Sequence, residues 1–374
     1  FLAVVLVGVF LLRGHAEGFC PFGGVEGLYT WLRDGAMPCS LGMSNFYILG
    51  ALLAVTLVVR RAFCGFACPI GTISEWLRRG AARLGLPGPR VPERLDRALR
   101  LLKYPLLAVI LWLTWRAGEL VFRGFDPCYA LIGRHGEDIT FWAYVVSGGI
   151  VVGSLFVMMP FCRWLCPLAA VFHPFSRFGY ARIRRDAGAC VDCGRCAEAC
   201  PTAIPVDREG EVRAARCIAC LECIDACPVP EGRALSWGPP GPSRRRWSPA
   251  VLIAVLLAGV GAAVTATYAF PAPSYASERG ERPPVTATLD LEVGDLTCRG
   301  RATLFTYFLE RDDFLAISGY LRVEAWPAPG GGRARIAFDP SVARPEDVRR
   351  AITEPFFDAQ LGLWQHSPFE LAEN

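Results

Sequence analysis

Eight cysteines stand in two runs of the same spacing. "CVDCGRCAEACP" places Cys190, Cys193, Cys196 and Cys200 before Pro201, and "CIACLECIDACP" places Cys217, Cys220, Cys223 and Cys227 before Pro228. Each run reads C-x2-C-x2-C-x3-C-P, in which three soft thiolates wrap three corners of a cubane and the fourth ligand comes from the other run. The spacing predicts one [4Fe-4S] cluster on Cys190, Cys193, Cys196 and Cys227, and a second on Cys217, Cys220, Cys223 and Cys200. Gly194, Ala197, Ala199, Ala219 and Ala226 keep the loops slim, so backbone amides can approach the sulfurs and tune their potential. Zinc sites rarely take eight cysteines in such a doubled pattern.

Two further motifs echo one another: "RRAFCGFACPIG" with Cys64 and Cys68, and "PFCRWLCPLA" with Cys162 and Cys166. On one helix, positions four apart share a face. Each pair is therefore expected to show two sulfurs to one side, and four thiolates can then converge at a cytoplasmic surface. That suits a further metal centre or a thiol redox pair; inert packed thiols are the alternative. Cys20, Cys39 and Cys128 fall in loops on the opposite side, where an oxidising compartment allows one disulfide, Cys20–Cys39 being the first choice. None of the histidines His15, His135, His173 and His366 lies mid-span, so paired-histidine haem is not expected, and no C-x-x-C-H occurs. His15 and His135 stand where a quinol headgroup could reach them, although ordinary loop histidines are the preferred reading, and His173 is read the same way. Dinucleotide fingerprints, phosphate loops and nucleophile elbows are not found.

The elements that must position these cysteines are apolar. The chain of 374 residues is 53% hydrophobic and 20% charged, with a net charge of +4 and a mean hydropathy of +0.32, a balance that points to a membrane and away from nucleic acid. Five apolar segments stand out: Phe1–Leu12, read as a truncated helix, then Leu41–Val59, Leu101–Trp115, Phe141–Pro160 and Pro249–Phe270. Arginines crowd the stretches after the second and fourth segments (Arg60, Arg61, Arg78, Arg79, then Arg163, Arg177, Arg182, Arg184), and Arg244, Arg245 and Arg246 precede the fifth. Positive-inside logic puts the tail outside and both C-x-x-x-C-P motifs and the ferredoxin runs in the cytoplasm, where disulfides would not explain the clustered cysteines. A span, the motif and an arginine-bearing stretch recur at Phe46–Arg83 and Tyr144–Arg182, an internal repeat. The tail reads as α+β, with strands at Val285–Val293, Phe314–Ala325 and Ala334–Phe338 and helices at Ala302–Arg311 and Pro345–Ile352.

With "GFCPFGG" in the first loop, the paired motifs and the double ferredoxin run, residues 1–230 resemble the polytopic [4Fe-4S] membrane electron-transfer family of NapH, NosR and CcoG type. The resemblance implies electron transfer between quinol and periplasmic acceptors and falls on Cys64, Cys68, Cys162, Cys166 and the eight ferredoxin cysteines. The Ser/Thr-Gly-Ala-Thr motif that attaches flavin in NosR-like members is not found, so no covalent flavin is expected. The tail resembles a worn heavy-metal-associated domain in "LEVGDLTCRGRATLFTYFL", where Arg301 takes the place of the second cysteine after Cys298; a docking module without metal is the favoured reading.

The expected fold class is a mainly α membrane protein: a helical hairpin repeat bundle, a bacterial two-[4Fe-4S] ferredoxin module and a small α+β ferredoxin-like C-terminal domain. The expected layout is a four-span bundle at 1–186, the ferredoxin module at 187–235, a linker at 236–248, a fifth transmembrane helix at 249–270 and an extracytoplasmic domain at 271–374. Expected function is electron transfer between a quinol pool or cytoplasmic donor and an extracytoplasmic acceptor at the bacterial inner membrane. The chain would then be a component with redox protein partners, not a stand-alone enzyme. A copper or metal reductase, or a metalloenzyme assembly factor, is the alternative, and a redox-sensing regulator the third reading.

Overall fold

The structure is a computed structural model that describes residues 20–34, 43–86, 88, 91–117, 121–132, 140–230, 233–241, 246–270, 273, 275–311, 315–328, 330–358 and 362–372. The expected span at residues 1–12, His15, Cys39, His135, Arg244 and Arg245 lie outside them. The chain forms two compact units, 1–26 with 44–268, and 27–43 with 269–374.

α1 (Pro21–Asp34) runs across the division at residue 26; the helices that follow in the first unit are α2 (Met43–Val59), α3 (Pro69–Arg83), α4 (Glu93–Leu99), α5 (Lys103–Ala117), α6 (Pro127–Ile132), α7 (Phe141–Phe156), α8 (Pro167–Arg177) and α9 (Pro249–Ala269). Proline opens α1, α3, α6, α8 and α9; at the first helical position its missing N–H costs nothing and its fixed φ suits the turn. Two of the expected spans are shorter than their apolar runs. α7 stops at Phe156 because Val157 turns extended and Met159 follows in the left-handed region at φ +50. The third run is longer than expected, because α4 leads into α5. Glu93–Ala117 (25 residues) and Pro249–Thr267 (19 residues) are long and apolar enough to cross a membrane, whereas the apolar helices Ser44–Val59 and Phe141–Phe156 are shorter.

The repeats pack crosswise. α3, which follows the first motif, lies along α7 of the second repeat. There Ser154 Oγ and Ser74 Oγ share a hydrogen bond at 2.9 Å, and Arg78 Nη1 donates to the Leu155 carbonyl at 2.7 Å, capping an open helix C-terminus. α8 lies along α5. α9 meets α2 at Gly259, where a Cβ would come 2.5 Å from Val55 Cγ2, the close approach that small residues permit between apolar helices.

The ferredoxin module hangs on a two-stranded antiparallel ribbon, β1 (Arg182–Arg185) and β2 (Leu235–Gly238), with Arg182 opposite Gly238. Its core of Ile183, Ile204, Val206, Val212 and Trp237 is continuous with Val55 and Val59 of α2 and Leu252 of α9.

The second unit contains β3 (Tyr275–Arg279), β4 (Ala287–Val293), α10 (Arg299–Leu309), β5 (Leu321–Trp326), β6 (Gly332–Phe338), α11 (Pro345–Thr353) and a hairpin of β7 (Phe356–Asp358) and β8 (Leu363–Gln365). β4-α10-β5-β6-α11 runs in the order βαββα, with its strands in an antiparallel sheet ordered β3-β5-β6-β4. The closing strand is reduced to one bridge, Val293 with Leu371, and β3 adds to the opposite edge. Neither β3 nor the β7–β8 hairpin was expected, since "YASER" carries too little apolar alternation for a strand signal. β5 begins later than expected because Gly319 turns the chain at φ +80. Buried Phe305, Phe308, Ile336 and Phe338 fill the core.

Candidate metal centres

Both ferredoxin runs take the same backbone path. Asp192 (φ +50) and Gly194 (φ +69) turn left-handed in the first, and Ala219 (φ +49) and Leu221 (φ +65) do so at the matching positions of the second. Such turns aim successive amides inward and make a concavity for anionic sulfur. A helical turn follows in each, Arg195–Glu198 and Glu222–Asp225, and buries Cys196 and Cys223.

The cysteines sort into two cavities. Cys200, Cys217, Cys220 and Cys223 line one, walled by Ile183, Ile204, Val206 and Val212. Cys190, Cys193, Cys196 and Cys227 line another, with Arg185 and Asp207 at its edge. Each cavity takes three cysteines from one run and one from the other. No three His, Cys, Asp or Glu side chains among the described residues close on a single ion. A tetrahedral zinc, with Zn–S near 2.3 Å, needs sulfurs within about 4 Å of one another, whereas a cubane sets each thiolate on a different iron. The donor sets, four cysteines to each cavity, fit [4Fe-4S] clusters.

The cavities differ in exposure. Cys217 and Cys223 are each 8% exposed, and burial pushes the Cys220 and Cys223 thiols far up. The Ile204 amide donates to Cys200 Sγ at 3.4 Å. Cys193, by contrast, is exposed, and Arg185 lies beside Cys190, held by Asp192 at 3.2 Å.

The C-x-x-x-C-P pairs do not lie on single helix faces. Ala62–Phe66 forms one short helix, and Cys68 stands at the N-terminus of α3 with ψ 120°. Phe161–Leu165 forms one π turn, and Cys166 stands at the N-terminus of α8 with ψ 116°. The residue before proline is forced out of helical geometry, so the helix breaks between the two cysteines. The break turns all four sulfurs into one apolar cluster with Ile70, Met159, Phe161 and Phe172. Cys64 and Cys162 are buried there, and Cys68 and Cys166 are partly buried. Burial raises the Cys68 thiol to about 12 and the Cys166 thiol to about 11, with the Ile70 and Gly71 amides and the Leu168 and Ala169 amides pulling the other way.

Two neighbouring arginines divide the work. Arg60, left-handed at φ +59 and 1% exposed, donates Nε to the Ala181 carbonyl at 2.8 Å, Nη1 to Ala214 at 3.0 Å and Nη2 to Val212 at 2.9 Å. It clamps the ferredoxin module to the first motif. Arg61 points to the thiols, with Nη2 3.9 Å from Cys64 Sγ. The ion pair of Arg79 with Glu222 at 2.6 Å adds a second tie. Arginine bias along the sequence marks both residues alike and does not separate these roles.

The remaining candidates are scattered. Cys128 is not set apart in an outer loop: α6 turns it into the four-thiol cluster, against α3 and α7. Cys20 is a free thiol, raised to about 12 by burial and by Asp126. His173 stacks edge-on against Tyr104 at 5.9 Å, and its buried Nδ1 has no partner. In the second unit Cys298 precedes α10, and Arg301, standing where a second thiol would be, pairs with Asp295 at 3.0 Å.

Comparison with known proteins agrees with these cavities. Residues 182–228 match a 4Fe-4S dicluster domain, and residues 41–87 and 139–185, the two repeats, each match a 4Fe-4S binding domain. YccM of Escherichia coli, named for electron transport, is 32% identical over 209 residues, 54% of this chain and 57% of its own length. The regulatory protein NosR of Pseudomonas aeruginosa is 30% identical over 173 residues, 45% of this chain and 23% of NosR. The methylamine utilization ferredoxin-type protein MauN of Methylorubrum extorquens is 28% identical over 214 residues, 54% of this chain and 69% of MauN. The chain thus spans little more than half of YccM and under a quarter of NosR. No solved structure matches it. The crossed cysteine cavities and these matches agree that the chain carries 4Fe-4S ferredoxin domains and is similar to YccM, NosR and MauN.

Proposed function

We propose that this chain is a multi-pass electron-transfer protein of the bacterial inner membrane. It passes electrons between a quinol pool or a cytoplasmic donor and an extracytoplasmic acceptor through two [4Fe-4S] clusters. Cys190, Cys193, Cys196 and Cys227 hold one, and Cys217, Cys220, Cys223 and Cys200 the other. A bound [4Fe-4S] cluster supplies reversible one-electron chemistry; the residues around it decide where electrons enter and leave.

The observation that carries this reading is the clamp of Arg60 on the ferredoxin carbonyls of Val212 and Ala214 and on that of Ala181 at the root of the module. It seats the cavity of Cys217 and Cys220 on the apolar helices instead of leaving it on a tether. Exposed Cys193 and Val191, the latter 62% exposed, form the face a soluble redox protein can approach. Arg185 beside Cys190 favours the more negative, reduced state of that site. The arginine bias sets the ferredoxin module in the cytoplasm and the 271–374 domain outside, where it serves as a docking surface for the acceptor. The copper-reductase alternative gains no support at Cys298, whose loop is closed by the Arg301–Asp295 pair.

The test is anaerobic reduction of the purified full chain in lipid. Cluster absorbance should bleach with a quinol analogue or with a reduced ferredoxin-type donor, and recover on addition of an oxidised c-type acceptor. Bleaching by dithionite alone, with neither physiological class of donor active, contradicts the proposed donors.

A further inference from the structure

Each C-x-x-x-C-P repeat supplies only two thiols, too few for a cubane. The crosswise packing pools them: Cys64 and Cys162, 6% and 7% exposed, join Cys68 and Cys166 in one apolar cluster. The last two sulfurs stand at the N-termini of α3 and α8, helices of 15 and 11 residues, whose dipoles favour negative charge.

A second observation comes from the opposite charge. Arg61 is 2% exposed, its Nη2 lies 3.9 Å from Cys64 Sγ, and its Nε has no partner. Among the described residues no carboxylate pairs with it, nor with Lys103, which is 3% exposed. A buried guanidinium without an anion is strongly disfavoured. Arg60 next to it avoids that cost through three carbonyls; Arg61 has only the thiols. Protonated thiols give it no counter-charge, whereas thiolates bound to metal do.

We propose that Cys64, Cys68, Cys162 and Cys166 together hold one further [4Fe-4S]-type cluster, with Arg61 as its buried counter-cation. This deepens the electron-transfer reading and rests on it. A single tetrahedral ion is disfavoured because no three ligating side chains among the described residues converge on one point. The location suits an electron carrier: a Cβ on Gly65 would lie 3.6 Å from Cys220 Cβ, so the new centre abuts the cavity of Cys200, Cys217, Cys220 and Cys223 and continues the route into the helices. Arg61 stabilises the more negative, reduced form and so raises the potential of this centre.

The experiment compares anaerobically purified full-length protein with the Cys64→Ser/Cys162→Ser variant by iron and labile-sulfide content. The expected change is from about twelve irons per chain to about eight, with the spectrum of the ferredoxin clusters retained as evidence of an intact fold. About eight irons in both proteins overturns the third cluster and leaves the two-cluster reading standing. Iron near zero in the wild type overturns both, and one zinc per chain lost in the variant replaces the cluster with an ion. Should the double variant fail to fold, the wild-type count decides alone. A redox titration then tests the cation: Arg61→Gln should lower the midpoint potential of the third centre only, and Arg61→Lys should restore most of it. An unshifted potential in Arg61→Gln overturns the counter-cation role.

Discussion

Gly65, between the cysteines of the first C-x-x-x-C-P motif, lies directly on the second ferredoxin loop: a Cβ there would come 3.0 Å from the Ile218 carbonyl oxygen and 3.6 Å from Cys220 Cβ. Backbone meets backbone at this point, so a side chain has no room to swing aside. Gly65→Val should cost about 1–3 kcal/mol by overpacking. It should lower the melting temperature in detergent and raise proteolysis at 178–182 while cluster iron is retained. Unchanged melting and proteolysis would show that the two loops do not bear on one another.

Arg60 carries the docking. A hydrogen bond to a charged donor contributes about 1.5–3 kcal/mol, and Arg60 makes three. Arg60→Gln should cost at least about 3 kcal/mol and loosen the ferredoxin module, seen as faster hydrogen exchange at Val212 and Ala214. Arg60→Lys should recover little, because an ammonium cannot span three carbonyls as a planar guanidinium does.

His173 gives the chain a defined pH response. Burial, then the cations Lys103, Arg61, Arg177 and Arg216, lower its pKa from 6.5 to about 4. Between those values the unfolded chain holds the proton and the folded one does not. Stability therefore rises with pH through that window and is lost as pH falls from about 6.5 toward about 4. Solvent reaches the ring, so the effect is modest. His173→Asn should flatten the dependence of melting temperature on pH relative to wild type; parallel curves would contradict the assignment.

The tail loop offers a gain of function. Arg301 pairs with Asp295 beside a single thiol, Cys298. Arg301→Cys rebuilds a C-x-x-C pair, and soft thiolates select copper(I). The variant should hold one copper(I) against a chelator to which the wild-type tail loses it. Equal retention by both proteins would mean that Cys298 already has a second ligand.

The parts of this molecule legible in the sequence are those whose chemistry is local. Eight cysteines at fixed spacing announced two cavities and their crossed pairing, and Pro69 and Pro167 carried the helix break that the reading of Cys64 and Cys68 as one helical face passed over. The tail was legible where strands alternate, at Ala287–Val293 and Gly332–Phe338, and silent at polar β3. What stayed hidden depends on contacts between distant segments. Counting spans along the chain sends Cys128 to an outer loop, but α6 folds it back against α3 and α7. Arg60 and Arg61 look interchangeable as topology charges, and only the packed structure sends one to carbonyls and the other to sulfur.

The most direct test lies in the ferredoxin module, because every further step depends on its crossed ligand sets. Low-temperature electron paramagnetic resonance of the dithionite-reduced full chain should include interacting signals from the two ferredoxin clusters. Cys200→Ser should alter the same signal as Cys220→Ser, and Cys227→Ser the same signal as Cys193→Ser, following the two cavities. The contradicting result is a Cys200→Ser spectrum that changes with the Cys193→Ser signal instead, or a reduced wild-type protein with no iron–sulfur signal at all.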